Sequence, residues 1–254
     1  MKPPIVVIGI GNLGKTFAQA FLRMGHPVYP VLRNMDPGEV AREVPEPALV
    51  LVAVREEHLH GILGSLPATW RDRIALVQNE LLPRDWQAHD LPEPTVAVVW
   101  FERRKHLPPT PYYPNPVYGP HADILLDAMA ELEMESVHVT DPDDLLFEMV
   151  RKNLYIVAKN IVGLAVEGTV GEVWAEHREL FEQVAGEVLD VQEWLAGKPL
   201  PRERLMAQLD HDITELPDKS TKGSSAPIRL RRMIAHADEA GLAVPRLREI
   251  AATL

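Results

Sequence analysis

The chain has no cysteine in its 254 residues. Disulfides, thiolate metal sites and cysteine nucleophiles are thereby excluded, while the compartment is left undecided. It also lacks any apolar run long enough to span a bilayer, so no membrane partner is expected. Met1-Lys2-Pro3-Pro4 leads straight into a short strand-like run, with no extended apolar segment ending at a small-residue cleavage site. The expectation is a cytoplasmic protein. Positive charge is in deficit: 26 Lys and Arg against 37 Asp and Glu leave a formal net charge of -11. Nucleic acid needs a concentrated basic face, so none is expected as a partner. Zinc-type ligand spacing is missing too. His58 and His60 stand two apart beside glutamates and the other histidines are scattered, so no metal site is expected.

What is present is ordinary globular material, 46% hydrophobic and 25% charged, in a chain long enough for two domains. The first half alternates β-branched runs with helical stretches, the pattern of a parallel sheet with crossover helices. Strands are expected at Ile5–Ile8, Val28–Leu32, Leu49–Val54, Ile74–Val77 and Val96–Val99, with an edge strand at Val137–Val139. A helix is expected from Leu13 to Met24. The proline-rich segment Pro108–Pro120 should resist regular structure, because proline lacks the donor a ladder needs. From Asp144 the spacing of Leu145, Met149, Ile156 and Leu164 keeps one side of a long helix apolar, and Asp141 or Asp143 could cap it. Further helices are expected over Glu172–Ala196, Arg202–Asp212 and Ala226–Ala240, with a loop over Leu216–Ser225. The fold class is thus an α/β Rossmann domain, residues 1–143, followed by an all-α domain, residues 144–254.

Gly9-Ile10-Gly11-Asn12-Leu13-Gly14 matches G-x-G-x-x-G directly after a strand and before an amphipathic helix. In that setting the glycines permit a tight turn, close approach to a pyrophosphate and close helix–strand packing. The helix start turns its free N–H groups and positive dipole end toward the phosphates. Gly9, Gly11, Asn12, Leu13 and Gly14 are therefore candidate dinucleotide-binding residues. The end of the second strand bears on the choice of nucleotide. An acid there would bind the ribose 2′-hydroxyl of NAD. Here the strand runs into Leu32-Arg33-Asn34 with no acid until Asp36. The planar cation of Arg33 suits a 2′-phosphate, so NADP(H) is favoured over NAD(H). Arg55, after the third strand, either helps to hold the phosphates or is a surface arginine.

Taken in order along the chain, several segments resemble the ketopantoate reductases, dehydrogenases with a helical C-terminal domain like that of 6-phosphogluconate dehydrogenase. They are the glycine motif; Val31-Leu32-Arg33; Val77-Gln78-Asn79; Phe101-Glu102-Arg103-Arg104; Tyr118-Gly119-Pro120; Arg151-Lys152 with Asn160 two turns on; and Ala240-Gly241-Leu242-Ala243-Val244-Pro245. The resemblance implies NADPH-dependent reduction of a small anionic 2-oxo acid to a 2-hydroxy acid, in a cleft between the domains. It makes Lys152 the catalytic group, a cation that stabilises alkoxide charge and then acts as general acid. It also implies that Asn160 contacts substrate and that Asn79 lies near the nicotinamide end, touching cofactor and substrate. A homodimer is compatible with it.

Three positions depart from the family pattern. Ile156 stands where an asparagine is usual, Glu80 where a glycine is usual, and Ser225 where a glutamate is expected. A site that discriminates through polar contacts changes substrate when it loses them, so pantoate formation is not the expected activity. Ser224 and Ser225, just before a helix start, either receive a substrate carboxylate or only cap the helix. Lys219, Lys222 and Arg229 form a local basic cluster that either closes over an anion or is solvated. Two rivals stand beside the reductase: a dinucleotide-binding sensor or regulatory protein without hydride transfer, and a dehydrogenase of an amino or imino acid.

Overall fold

The computed structural model describes residues 2–102 and 109–254. Arg103, Arg104 and Pro108, all part of the sequence reading, lie outside the described residues. The chain divides into two compact units, Met1–Met149 and Val150–Leu254, the division falling inside one long helix.

In the first unit, β1 (Ile5–Ile8), α1 (Asn12–Arg23), β2 (Val28–Val31), α2 (Pro37–Glu43), β3 (Leu49–Val52) and α3 (Glu56–Ser65) alternate. A short 3-10 turn (Ala68–Arg73) precedes β4 (Ile74–Leu76), α4 (Pro83–Gln87) and β5 (Thr95–Ala97). Then come β6 (Phe101–Glu102), β7 (Thr110–Pro111), β8 (Asn115–Tyr118), α5 (Ala122–Glu131) and β9 (Ser136–His138). The main sheet has the order β2-β1-β3-β4-β5-β8-β9, and its first five strands are parallel. β1 and β3 carry unbroken apolar runs because both their faces are covered. Phe17, Ala20 and Phe21 of α1 cover one face, packed with Leu125, Ala128 and Met129 of α5 over Ile5, Val7, Leu49 and Leu51. The chain leaves β1 for β2 on one side and meets β3 on the other. The carboxyl end of β1 is thus a topological switch point, where doubly wound sheets bind ligands.

The proline-rich segment needs correction. It contains β8, which pairs antiparallel with β5 and parallel with β9. Proline fits there because the ladder uses its carbonyl: Val98 N–H donates to Pro116 O at 2.8 Å. The missing N–H removes a bond only where a neighbour needed a donor. Asn115 reinforces the strand through its side chain, which accepts from Trp100 N–H at 2.7 Å and donates to Glu135 O at 2.8 Å.

α6 (Pro142–Ala165) starts in the first unit and continues into the second, which adds α7 (Val170–Glu176), α8 (Arg178–Ala196), α9 (Arg202–Glu215), α10 (Ala226–Ala240) and α11 (Pro245–Ala251). Asp141 caps α6, accepting from Asp143 N–H at 2.8 Å, while Asp143 lies in the first turn. The single helix expected over Glu172–Ala196 is two, because His177 leaves helical geometry at φ -131°. α7 has its own start signal: Thr169 and Glu172 cap each other reciprocally. The loop before α10 is clamped down. Thr221 donates to Gly168 O through both N–H and hydroxyl, at 3.1 and 2.9 Å. Among the described residues no helix is long and apolar enough to cross a membrane.

Candidate active site

Two groups of side chains are candidates for a functional role, one in each unit. In the first, the turn after β1 is shaped by three glycines with different tasks. Gly9 holds φ +92°, and a Cβ there would lie 2.9 Å from both Ala53 O and Val54 Cγ1. Gly14 lets α1 press on the turn, since a Cβ would sit 2.0 Å from Gly9 O. Gly11 is different: nothing lies within 4 Å of where its Cβ would project. It is the N-cap of α1, gives no side-chain cap, and is followed by a first turn without acid. The first N–H groups of a helix have no intrahelical acceptor. Gly11 therefore opens a cradle of donors that a pyrophosphate fits.

That turn borders a cavity of about 720 Å³, walled by Leu32, Arg33 and Met35 after β2 and by Val54, Arg55, Glu57 and His58 after β3. Arg33 and Arg55, both candidates from the sequence, line it together. Asp36, the nearest acid to the end of β2, is committed elsewhere: its carboxylate accepts from Gly38 N–H at 2.9 Å and caps α2. Two residues here were missed by sequence reasoning. His58 Nε2 lies 3.4 Å from Arg33 Nη2, and Glu57 Oε1 lies 3.4 Å from Arg55 Nε and 3.6 Å from His58 Nε2. The available signal was position: both fall in the first turn of the helix after β3.

Asn79 sits half-buried in the turn after β4 and is not among the residues lining that cavity. Its neighbour Gln78 fixes the turn by donating to Val52 O at 2.7 Å, which ties the end of β4 to that of β3. Glu80, where the resemblance implied a glycine, adopts φ +61°. The backbone geometry of a glycine turn is thus kept, at the strain cost of a side chain in the left-handed region.

In the second unit, Lys152 and Asn160 lie on one stripe of α6 with Ile156 between them. Lys152 is only 5% exposed. Its neighbour Arg151 makes a two-pronged ion pair with Asp212 of α9, at 2.9 and 2.7 Å, and Asp212 is fully buried. Gln208 adds a bond to the same carboxylate at 3.0 Å. This pair, which fixes the register of α6 on α9, was not foreseen. Asn160 is buried and engaged at both ends of its amide: it donates to Thr221 O at 3.1 Å and accepts from Arg229 Nη1.

The basic cluster is dispersed by its partners. Lys222 pairs with Glu167 at 2.5 Å, Arg229 turns to Asn160, and Lys219 is half-buried in the loop. Ser224 is exposed and Ser225 is the N-cap of α10, without a side-chain cap bond. Among the described residues no group of three His, Cys, Asp or Glu side chains could hold a metal ion.

No family model matches the sequence, and no curated protein matches it. Solved structures do. The 2-dehydropantoate 2-reductase of Methylococcus capsulatus superposes with a TM-score of 0.71 at 15% identity, over 98% of this chain and 95% of that one. The probable 2-dehydropantoate 2-reductase PanE of Bacillus subtilis gives 0.68 at 15%, over 98% of both chains. D-mandelate dehydrogenase, in complex with NADH, gives 0.67 at 12%, over 98% of this chain and 96% of that one. At such identities the likeness speaks for the fold. The chain thus has the fold of the ketopantoate reductases, a mostly parallel Rossmann sheet followed by a helical C-terminal region.

Proposed function

We propose that the protein is an NADPH-dependent oxidoreductase that reduces a small 2-oxo acid or related carbonyl compound. The observation that carries the reading is the open donor cradle at Gly11, bordering a cavity that also holds Arg33. The N–H groups at the start of α1 would hold the pyrophosphate, and Arg33 and Arg55 the 2′-phosphate. When bound, the nicotinamide supplies the hydride. Lys152 is the proposed catalytic residue. Lys152 is buried, which argues against a merely solubilising role and is compatible with a chemical one. Its ammonium would stabilise negative charge growing on the carbonyl oxygen and then donate the proton that completes the alcohol.

The substrate contacts are proposed to differ from the family's. Asn79, Ser224 and Ser225 remain candidates, whereas the Asn160 amide already serves Thr221 and Arg229. Asn160 is therefore better read as the group that positions Arg229. With Ile156 apolar, the favoured substrate is a less hydroxylated oxo acid than ketopantoate. The same observations favour a second reading, a dinucleotide-binding protein that transfers no hydride.

Fluorescence titration with NADPH and NADH, followed by NADPH consumption against a panel of small 2-oxo acids, separates the two. The reductase reading expects turnover, and a loss of about a hundredfold or more in kcat for Lys152→Ala with NADPH affinity kept. Turnover unchanged in Lys152→Ala removes this residue from the mechanism. NADPH binding without turnover on any carbonyl moves the balance to the second reading. For Arg33→Ala, NADPH affinity should fall far more than NADH affinity; equal falls contradict the NADP assignment.

A further inference from the structure

Arg33 has an unusual neighbour for a phosphate-binding arginine. His58, from the first turn of α3, brings Nε2 to 3.4 Å from Arg33 Nη2, and both line the cavity beside the glycine turn. As a guanidinium only donates, the imidazole nitrogen facing it must be the acceptor, so this contact needs a neutral ring. The charged groups lining the cavity with it are Arg33, from the turn after β2, and Arg55 and Glu57, from the start of α3. Glu57 is the odd member, a carboxylate in a site argued to take an anion. It lies 3.4 Å from Arg55 and 3.6 Å from His58 Nε2. His58 and Glu57 are both open to solvent, with side chains 46% and 37% exposed.

We propose that His58 is a specificity-determining residue for NADP(H), taking up a proton as the 2′-phosphate arrives and binding that phosphate together with Arg33. This deepens the NADPH reading and rests on it. With a neutral ring, the two arginines and Glu57 leave one net positive charge in the cavity. A phosphate monoester brings a charge of roughly -1.5 to -2, so the filled site would be left negative beside the Glu57 carboxylate. One proton on His58 offsets that excess. It also converts Nε2 from an acceptor of the Arg33 N–H into a donor to phosphate, releasing the guanidinium for the same anion. Glu57, 3.6 Å from the same Nε2, then stabilises the imidazolium electrostatically. Binding without the 2′-phosphate, as in NAD(H), leaves the Arg33–His58 contact intact and needs no proton.

The test uses the intact chain and two small probes, adenosine 2′,5′-bisphosphate and adenosine 5′-monophosphate. Binding is measured by calorimetry at pH about 7.5, where a phosphate monoester with second pKa about 6 is mainly a dianion. Buffers of differing ionisation enthalpy then report protons exchanged. The bisphosphate should take up close to one proton and the monophosphate none. Bisphosphate affinity should weaken by about tenfold per unit of rising pH, the limit set by one linked proton. His58→Gln should abolish the uptake, flatten the pH profile, and weaken the bisphosphate by about tenfold while sparing the monophosphate. His58→Lys, a fixed cation, should restore affinity with no proton uptake. If the wild-type chain binds both probes equally, the NADP reading itself fails. If it prefers the bisphosphate yet takes up no proton, or if His58→Gln keeps the wild-type uptake and profile, His58 has no such role and the NADP reading stands.

Discussion

Changing Gly11 and Gly14 to alanine separately should split folding from nucleotide binding. At Gly14 the added Cβ would lie 2.0 Å from Gly9 O, 1 Å short of the 3.0 Å below which such contacts are essentially never seen, and 3.3 Å from Ala53 Cβ. Both neighbours are anchored, one as backbone and one on the chain after β3, so α1 must lift from the sheet. Overpacking of this kind costs about 1–3 kcal/mol or more, and a unit of this size loses about 2–4 °C of Tm per kcal/mol. A fall of about 2–12 °C is expected, with binding impaired as a consequence. At Gly11 nothing lies within 4 Å and φ is -76°, open to any residue. The folding penalty is then only that of an alanine N-cap, about 1 kcal/mol or less. The methyl would, however, project into the donor cradle. Losing one charge-assisted hydrogen bond of about 1.5–3 kcal/mol weakens NADPH about ten- to hundredfold. Differential scanning fluorimetry gives the stabilities, and fluorescence titration the affinities. A Gly11→Ala variant that binds NADPH as well as the wild type would refute the cradle, whatever Gly14→Ala did.

Two further outcomes test the framework of each unit. Asp212→Ala leaves Arg151 without the carboxylate it grips in the helical unit and should cost about 3–5 kcal/mol, read as a lower denaturant midpoint. The double replacement Arg151→Met with Asp212→Leu should recover most of it; no recovery would show that the charges themselves are needed. In the first unit, His89 contacts His60 at 2.9 Å. Burial, then His60 and Arg71, hold its pKa below the ordinary 6.5. The unfolded chain therefore binds this proton more readily than the native one. Stability is whole above pH 6.5 and declines as pH falls through it. His60→Gln should shrink the fall in Tm between pH about 7.5 and about 5.5; an undiminished fall would clear the pair of any part in acid sensitivity.

The sequence by itself determined the elements whose signals are local. β1, β3 and the turn at Gly9, Gly11 and Gly14 were legible because continuous apolar runs and backbone permissiveness are properties of a few adjacent residues. So was the change from strands to helices, and Arg33 at the end of β2. The tertiary structure decided what depends on a partner far along the chain. Pro116 sits comfortably in β8 because the neighbouring Val98 needs its carbonyl and not its N–H. Asp212 carried no signal in the sequence beyond its place in a helix until α9 set it against Arg151, 61 positions away. Asn160 has the residue type and spacing of a substrate contact, yet Thr221 and Arg229 take both ends of its amide. His58 stood among glutamates without meaning until β2 and β3 flanked β1 and brought it to Arg33. Periodicity reveals which face of an element is buried; only the packed chain reveals which partner each polar group meets there, because a hydrogen bond or ion pair is a property of two positions.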